Sequence, residues 1–353
     1  MGREVNSMLR LTDEVLTGIL NDFGVPGECR GFRELQRYDY ADDPTGRSVR
    51  LIVRAEAEDG GSFVIRFKNE EDVTLKIVEA QSAFADALRR HGVETPRVLA
   101  SNGAFARPYR IGGYEVTVTV EEFVPGELKL IDAESAAKTG RLLARMHNIA
   151  ENSGLHVQNA VLFDPLAEGG NDLFGIYPLT ENEAFLRTVD GGLYDAVFAE
   201  YEKLRGTLRE FENEPRYAVQ GDISDCNLFV TPGGEVGVFD FNRSGDNVPF
   251  FDAVMQAVFE ARLMDYPSDI ASDPERAILP AFLAGYDSVR PFTAKQREAF
   301  PCFYALITAF WLADLKWNGD SLEAAVKAGD GNAARERMER ILGRALSRRE
   351  MPV

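Results

Sequence analysis

The chain has 353 residues, 45% of them hydrophobic and 27% charged, which suits a soluble globular protein with a real core and predicts two domains. Its net charge of −18 argues against nucleic acid or an anionic membrane as partner, because like charge repels both, and is compatible with a neutral or cationic small molecule. Three scattered cysteines, Cys29, Cys226 and Cys302, give neither a disulfide framework nor metal-ligand spacing and predict a reduced, cytoplasmic setting, with Cys226 as a small buried filler.

The opening MGREVNSMLRLTDEVL lacks the apolar core of a signal peptide, and no run is long enough to span a bilayer. LTDEVLTGILNDFGVPGE predicts a short helix capped by Thr12, with Leu16, Ile19 and Leu20 on one face and Gly24 and Pro26 ending it. From Phe32 the period becomes two. FRELQRYDY, SVRLIVRAEAE and SFVIRFKNE predict three strands of an antiparallel meander, separated by ADDPTGR and DGG. DVTLKIVEAQSAFADALRRHG predicts a helix with Ile77, Gln81, Phe84 and Leu88 on its inward stripe. VETPRVLAS and PYRIGGYEVTVTVEEF predict further strands.

After VPGE the texture turns helical. Pro125-Gly126 breaks both strand and helix, which sets the expected lobes at residues 1–124 and 125–353. DAESAAKTGRLLARMHNIAE predicts a helix capped by Asp132 with Leu142, Leu143 and Met146 inside. FYALITAFWLADLKWNGD reads as an aromatic-rich helix, more core than ligand wall.

The chemistry concentrates in VQGDISDCNLFVTPGGEVGVFDFN, Val219 to Asn242. LFVT and VGVF are short apolar runs joined by the tight turn PGGE, so a two-stranded hairpin would bring Asp222 and Asn227 near Asp240. Carboxylates that close repel unless a cation or proton lies between them. Oxygen donors without histidine or thiolate suit a hard ion such as Mg²⁺, which completes its shell with phosphate oxygens and water and so predicts a nucleoside triphosphate site.

QGDISDCN followed by VFDF resembles the H-G-D-x-x-x-x-N and hydrophobic-D-[FW] pattern of the aminoglycoside phosphotransferase and choline kinase group of small-molecule kinases. The match falls at Gly221, Asp222, Asn227, Asp240 and Phe241, with Gln220 in place of the histidine. The resemblance implies an α+β, two-lobed protein-kinase-like fold: an N-terminal antiparallel sheet with one helix, which binds nucleotide, and a larger, mainly helical C-terminal lobe. It implies an ATP- and Mg²⁺-dependent transfer of the γ-phosphoryl group to a hydroxyl of a small molecule, aminoglycoside-like or a metabolite alcohol. Asp222 would be the catalytic base; Asn227 and Asp240 would be the magnesium ligands.

EEFVPGE resembles the hinge of that group, so Glu122, Phe123 and Val124 would present backbone groups to adenine. In FVIRFK the resemblance implies a phosphate-gripping cation, Arg66 or, as substitute, Lys68, since the two share a face. Its partner on the next helix is Gln81 by direction or Glu79 by charge. His147, in RLLARMH, reads as packing. Asp252 reads either as support for the catalytic loop or as a helix N-cap. The glycine-rich phosphate loop is indistinct, ADDPTGRS offering only Gly46. Two other readings stay open: a Ser/Thr protein kinase of the same fold, and a nucleotide-binding pseudokinase.

Overall fold

The computed structural model describes residues 9–39, 48–168, 173–223 and 225–353; the ADDPTGR connection with Gly46 falls outside them. In chain order the elements are α1 (Asp13–Asp22), β1 (Cys29–Asp39), β2 (Val49–Ala57), β3 (Ser62–Asn69), α2 (Leu75–Arg90), β4 (Ala106–Ile111) and β5 (Tyr114–Glu122). There follow α3 (Ala133–Ser153), α4 (Tyr177–Glu181), α5 (Glu183–Arg209), β6 (Tyr217–Val219), β7 (Leu228–Val230), β8 (Val236–Val238) and β9 (Gly245–Asn247). Helices α6 (Pro249–Leu263), α7 (Pro274–Asp287), α8 (Ala294–Ala309), α9 (Leu322–Lys327) and α10 (Gly331–Leu346) complete the chain. They form two compact units: residues 1–128 with 155–159 and 227–244, and residues 129–154, 160–226 and 245–353.

In the first unit β1–β3 form the expected meander, and the five-stranded antiparallel sheet has the order β1-β2-β3-β5-β4. Strand alternation sorts its residues by face. Val49, Leu51 and Val53 of β2, Phe63, Ile65 and Phe67 of β3, and Val116, Val118 and Val120 of β5 share one apolar core with Leu16, Ile19 and Leu20 of α1. Thr12 caps α1 by accepting the Val15 N–H at 3.3 Å. Burying each of those helix side chains is worth about 1.5–3 kcal/mol, which fixes the register and leaves Val64, Arg66 and Lys68 on the opposite face.

Two strand expectations need correction. PYRIGGYEVTVTVEEF is two strands, not one: Gly112 and Gly113, at φ 56° and 88°, take the positive-φ pair of a two-residue hairpin turn between Ile111 and Tyr114. VETPRVLAS is not a strand and makes only two isolated bridges, Val98 to Glu121 and Ser101 to Ala104, because Pro96 within it has no N–H for a ladder. Helix α2 also differs slightly from its predicted stripe: Val78 is buried beside Gln81, Phe84 and Leu88, while Ile77 is half-buried.

In the second unit α3 begins at its Asp132 cap, whose carboxylate accepts the Ser135 N–H at 2.8 Å, and ends at left-handed Gly154. Helix α3 packs on α7 through two glycines: a Cβ on Gly140 would run into the Phe282 carbonyl, and one on Gly285 into the Ala137 carbonyl. The aromatic-rich segment is not one helix. Helix α8 stops at Ala309 because the next backbone groups bond elsewhere: the Phe310 carbonyl accepts from Gly175 at 3.0 Å, and Leu312 N–H donates to Leu173 at 2.8 Å. Phe303, Phe310 and Trp311 are buried, whereas Trp317 is 55% exposed. Among the described residues no helix is long and apolar enough to cross a membrane.

Candidate active site

In the first unit, β7 and β8 form the expected hairpin, with Leu228 opposite Val238 and Val230 opposite Val236. The PGGE turn closes it through Gly234 N–H to Thr231 O at 2.8 Å. At the open end Phe239 N–H donates to Asn227 O at 3.0 Å, which places Asn227 beside the Phe239-Asp240 step. Asp240 is one of three non-glycine residues at positive φ, 57°, among those described. That backbone costs of the order of 1 kcal/mol and persists where surroundings over-determine it. Asn242 N–H donates to Asp240 Oδ1 at 3.2 Å, and the Phe241 ring meets Phe84 of α2 edge-on at 5.7 Å.

Cations surround this carboxylate. Arg50 Nη2 lies 3.5 Å from Asp240 Oδ2, and Lys68 Nζ donates to Asn242 Oδ1. Burial alone would raise the Asp240 pKa, but the charges of Arg66, Lys68 and Arg50 outweigh it and hold the carboxyl below its usual range. Burial pushes the Lys68 ammonium down to about 8, against the pull of Asp240 and with Arg66 and Arg50 adding to the fall. Burial also works against the Arg66 charge, yet Glu121 and Asp240 more than restore it, so its pKa rises.

Arg66 and Lys68, each 7% exposed, line a cleft together with Gln81, Thr119, Glu121 and Asn242. The partner of Arg66 is neither helix candidate. Arg66 Nη1 sits 2.5 Å from Glu121 Oε1 on β5. Gln81 Nε2 donates instead to the carbonyls of Asn242 and Ser244, at 2.7 and 3.3 Å, and so holds the loop after Asp240. Glu79 caps a turn by accepting the N–H groups of Phe105 and Ala106.

At the predicted hinge, Glu122 N–H donates to Arg97 O at 2.9 Å and Phe123 N–H to Ser62 O at 2.8 Å, so both are already bonded within the protein. Among the described residues the Val124 N–H has no backbone acceptor. The Arg54 guanidinium stacks 3.9 Å over the Phe123 ring.

In the second unit, Asp222 lies on the loop after β6. Gln220 Oε1 accepts the Asp222 N–H at 2.7 Å, doing what a neutral histidine nitrogen could do there. The next amide, Ile223 N–H, donates to Gln256 Oε1 at 3.1 Å. Gln256 Nε2 donates to Asp252 at 3.2 Å, Asp252 meets His147 Nε2 at 3.0 Å, and His147 Nδ1 meets the Tyr286 hydroxyl at 2.8 Å. Asp252 is therefore no N-cap: it lies inside α6, 1% exposed, and supports the loop through Gln256. His147 is buried packing, as its sequence context predicts. Cys226 is exposed, against the expectation of a buried filler, because the turn that places Asn227 inward faces its neighbour outward.

The sequence reading missed Glu121 and Arg50. Both follow from strand register: Arg50 is opposite Lys68, and Glu121 is opposite Val64, two residues from Arg66 along the same face. The first could have been found by closing the predicted β2–β3 hairpin. The second needed the β3–β5 pairing, which nothing local specifies.

A donor set of one amide and one carboxylate, Asn227 and Asp240, suits a hard divalent ion that keeps water and substrate oxygens in its shell. Among the described residues no group of three or more His, Cys, Asp or Glu side chains is placed to hold a metal by itself.

The model of the phosphotransferase enzyme family matches residues 43–292. A homoserine kinase of Gluconacetobacter diazotrophicus is 26% identical over 291 residues, spanning 79% of this chain and 82% of that protein. Among solved structures, a microcompartment-associated aminopropanol kinase aligns with TM-score 0.58 at 17% identity, over 95% of this chain and 99% of that one. The amicoumacin kinase hAmiN, in complex with AMP-PNP, Ca²⁺ and Ami, aligns with TM-score 0.52 at 16% identity, over 91% and 92%. At those identities the two structures speak for the fold.

Proposed function

Because the chain belongs to the phosphotransferase enzyme family and moves a phosphoryl group to a small-molecule hydroxyl, we propose that ATP is its donor, Mg²⁺ its metal, and a small amino alcohol such as homoserine its acceptor. The observation that carries this reading is the hairpin end: Asn227 and Asp240 are brought together, with Asp240 in a strained backbone and ionised among three cations. The homoserine kinase relative supports the acceptor class. The net charge of −18 is compatible with an amine-bearing substrate.

Asp222 is the base that orients the acceptor hydroxyl and takes its proton, on a loop fixed by Gln220 and Gln256. Arg66 meets the phosphate oxygens with a charge that no working pH removes, and Lys68, pushed down to about 8 by burial, adds a charge that an incoming phosphate would favour. A divalent ion on Asn227 and Asp240 would neutralise the charge of the transferring group. The Val124 N–H is the hinge donor left for the nucleobase.

The test is ATP consumption with Mg²⁺ across homoserine, other amino alcohols and aminoglycosides, repeated with Asp222→Ala. Acceptor-dependent turnover that disappears in the variant supports the assignment. Turnover unchanged in the variant removes Asp222 from it. Stabilisation by ATP and Mg²⁺ with no consumption on any acceptor would favour the pseudokinase reading.

A further inference from the structure

We infer that Glu121 is the positioning residue for the phosphate grip, and that it replaces from β5 the carboxylate that α2 does not supply. This rests on the reading of Arg66 as a phosphate-holding cation. Helix α2 has no carboxylate to give: its buried polar residue Gln81 is engaged with two loop carbonyls, Glu79 with two amides, and Asp86 with Arg89 and Arg90 of its own last turn. Glu121 reaches Arg66 across the sheet instead. In the β3–β5 register Arg66 is opposite Thr119, so Glu121 lies on the diagonal of the same face.

The pair is dry and directional. The two side chains are 9% and 15% exposed, and Nη1 of Arg66 takes the carboxylate at 2.5 Å. The guanidinium is a rigid fork, so fixing one nitrogen aims the others. Its Nε is buried without a hydrogen-bond partner, and Arg66 lines the cleft. The guanidinium nitrogens that Glu121 does not take are the ones left for an acceptor that enters the cleft.

Glu121 also separates the charges. Arg50, Arg66 and Lys68 all act on Asp240, and Asp240 is the other carboxylate that attracts Arg66. Without Glu121 the guanidinium is drawn to Asp240, away from the phosphate position and onto a candidate metal ligand. Glu121 therefore holds Arg66 ready and keeps Asp240 available.

The experiment is calorimetric titration of AMP-PNP with Mg²⁺, and of adenosine, into the wild type, Glu121→Gln, Glu121→Asp, Arg66→Met and the Glu121→Gln/Arg66→Met double variant, each checked for a cooperative thermal transition. Glu121→Gln should weaken AMP-PNP by about tenfold, leave adenosine unchanged, and have no further effect in the Arg66→Met background. Glu121→Asp, which keeps the charge, should retain part of the affinity. Equal weakening of adenosine and AMP-PNP would assign Glu121 to the base and overturn the inference. So would independent, multiplying effects of the two substitutions. If Arg66→Met weakens AMP-PNP and Glu121→Gln does not, the inference alone falls. If Arg66→Met has no effect, the phosphate role of Arg66 falls and this inference with it.

Discussion

The Gln220 carboxamide oxygen accepts the backbone N–H of Asp222 at 2.7 Å from a side chain with no solvent exposure. Gly221 between them, at φ 83°, turns the chain so that residue 220 can reach the amide two places on. The bond fixes the backbone from which the candidate base projects. Gln220→Ala deletes the acceptor and leaves a cavity, which should cost about 1–3 kcal/mol and lower kcat about tenfold. Gln220→His, which can present a neutral ring nitrogen to the same amide, should keep most activity. AMP-PNP affinity should hold in both. Equal kcat for Gln220→Ala and wild type in steady-state assays would show that the loop does not depend on this bond.

Asp252 and Gln256 form the second support of that loop, one helical turn apart on α6. Gln256→Leu should lower kcat while leaving the His147–Asp252 pair intact, so its cost in thermal unfolding, about 1–3 kcal/mol for the buried Ile223 N–H left without an acceptor, should be the smaller of the two. Asp252→Asn removes the buried charge that His147 faces and weakens both links. It should destabilise the second unit by about 2–4 kcal/mol and lower kcat as well. Calorimetric unfolding beside steady-state rates separates the two outcomes. A Gln256→Leu protein as active as wild type would reduce this chain of bonds to packing.

The strands and helices of the first unit were legible because period two and period 3.6 are local signals, and Leu16, Ile19 and Leu20 land where the wheel puts them. The failures have physical causes of their own. Gly112-Gly113 splits a β-branched run through backbone conformation, which hydrophobicity does not record. The stop at Ala309 comes from residues 173–175, far off in sequence. The same division runs through the site. Asn227 and Asp240 flank a tight hairpin, so the nearness of their backbones at its open end is readable from the sequence. The Arg66–Glu121 pair spans two strands that are not sequence neighbours, and the family resemblance had pointed to the helix instead.

Asp132 gives a pH dependence with a definite sign. Its carboxylate accepts the Ser135 N–H, and that bond, against some opposing burial, holds its pKa below the usual aspartate value. A folded-state pKa lowered in this way contributes stability above the unfolded-state pKa, and the contribution is lost as pH falls through the folded value. Asp132→Ala should cost about 1 kcal/mol at neutral pH. The gap between wild type and variant should close as the pH drops below the ordinary carboxylate range. Urea unfolding of both proteins across that range measures it, and a gap that stayed constant into acid would mean that the cap does not act through its charge.

The crossing of α3 and α7 depends on two hydrogens. A methyl group at Gly140 would meet the Phe282 carbonyl, and one at Gly285 the Ala137 carbonyl, both backbone atoms that cannot turn aside. Both glycines lie within helices, where alanine is otherwise favoured by about 1 kcal/mol, so propensity and packing oppose each other here. Overpacking against backbone costs about 1–3 kcal/mol or more, so packing should win. Gly140→Ala is expected to lower the unfolding midpoint, whereas Gly343→Ala, on α10 with open space around its Cβ position, should raise it or leave it unchanged. Denaturant titration of the two variants side by side is the measurement. A stabilised Gly140→Ala protein would mean that the helices can separate at no cost, and that their close approach does not set the position of His147 about two turns further along α3.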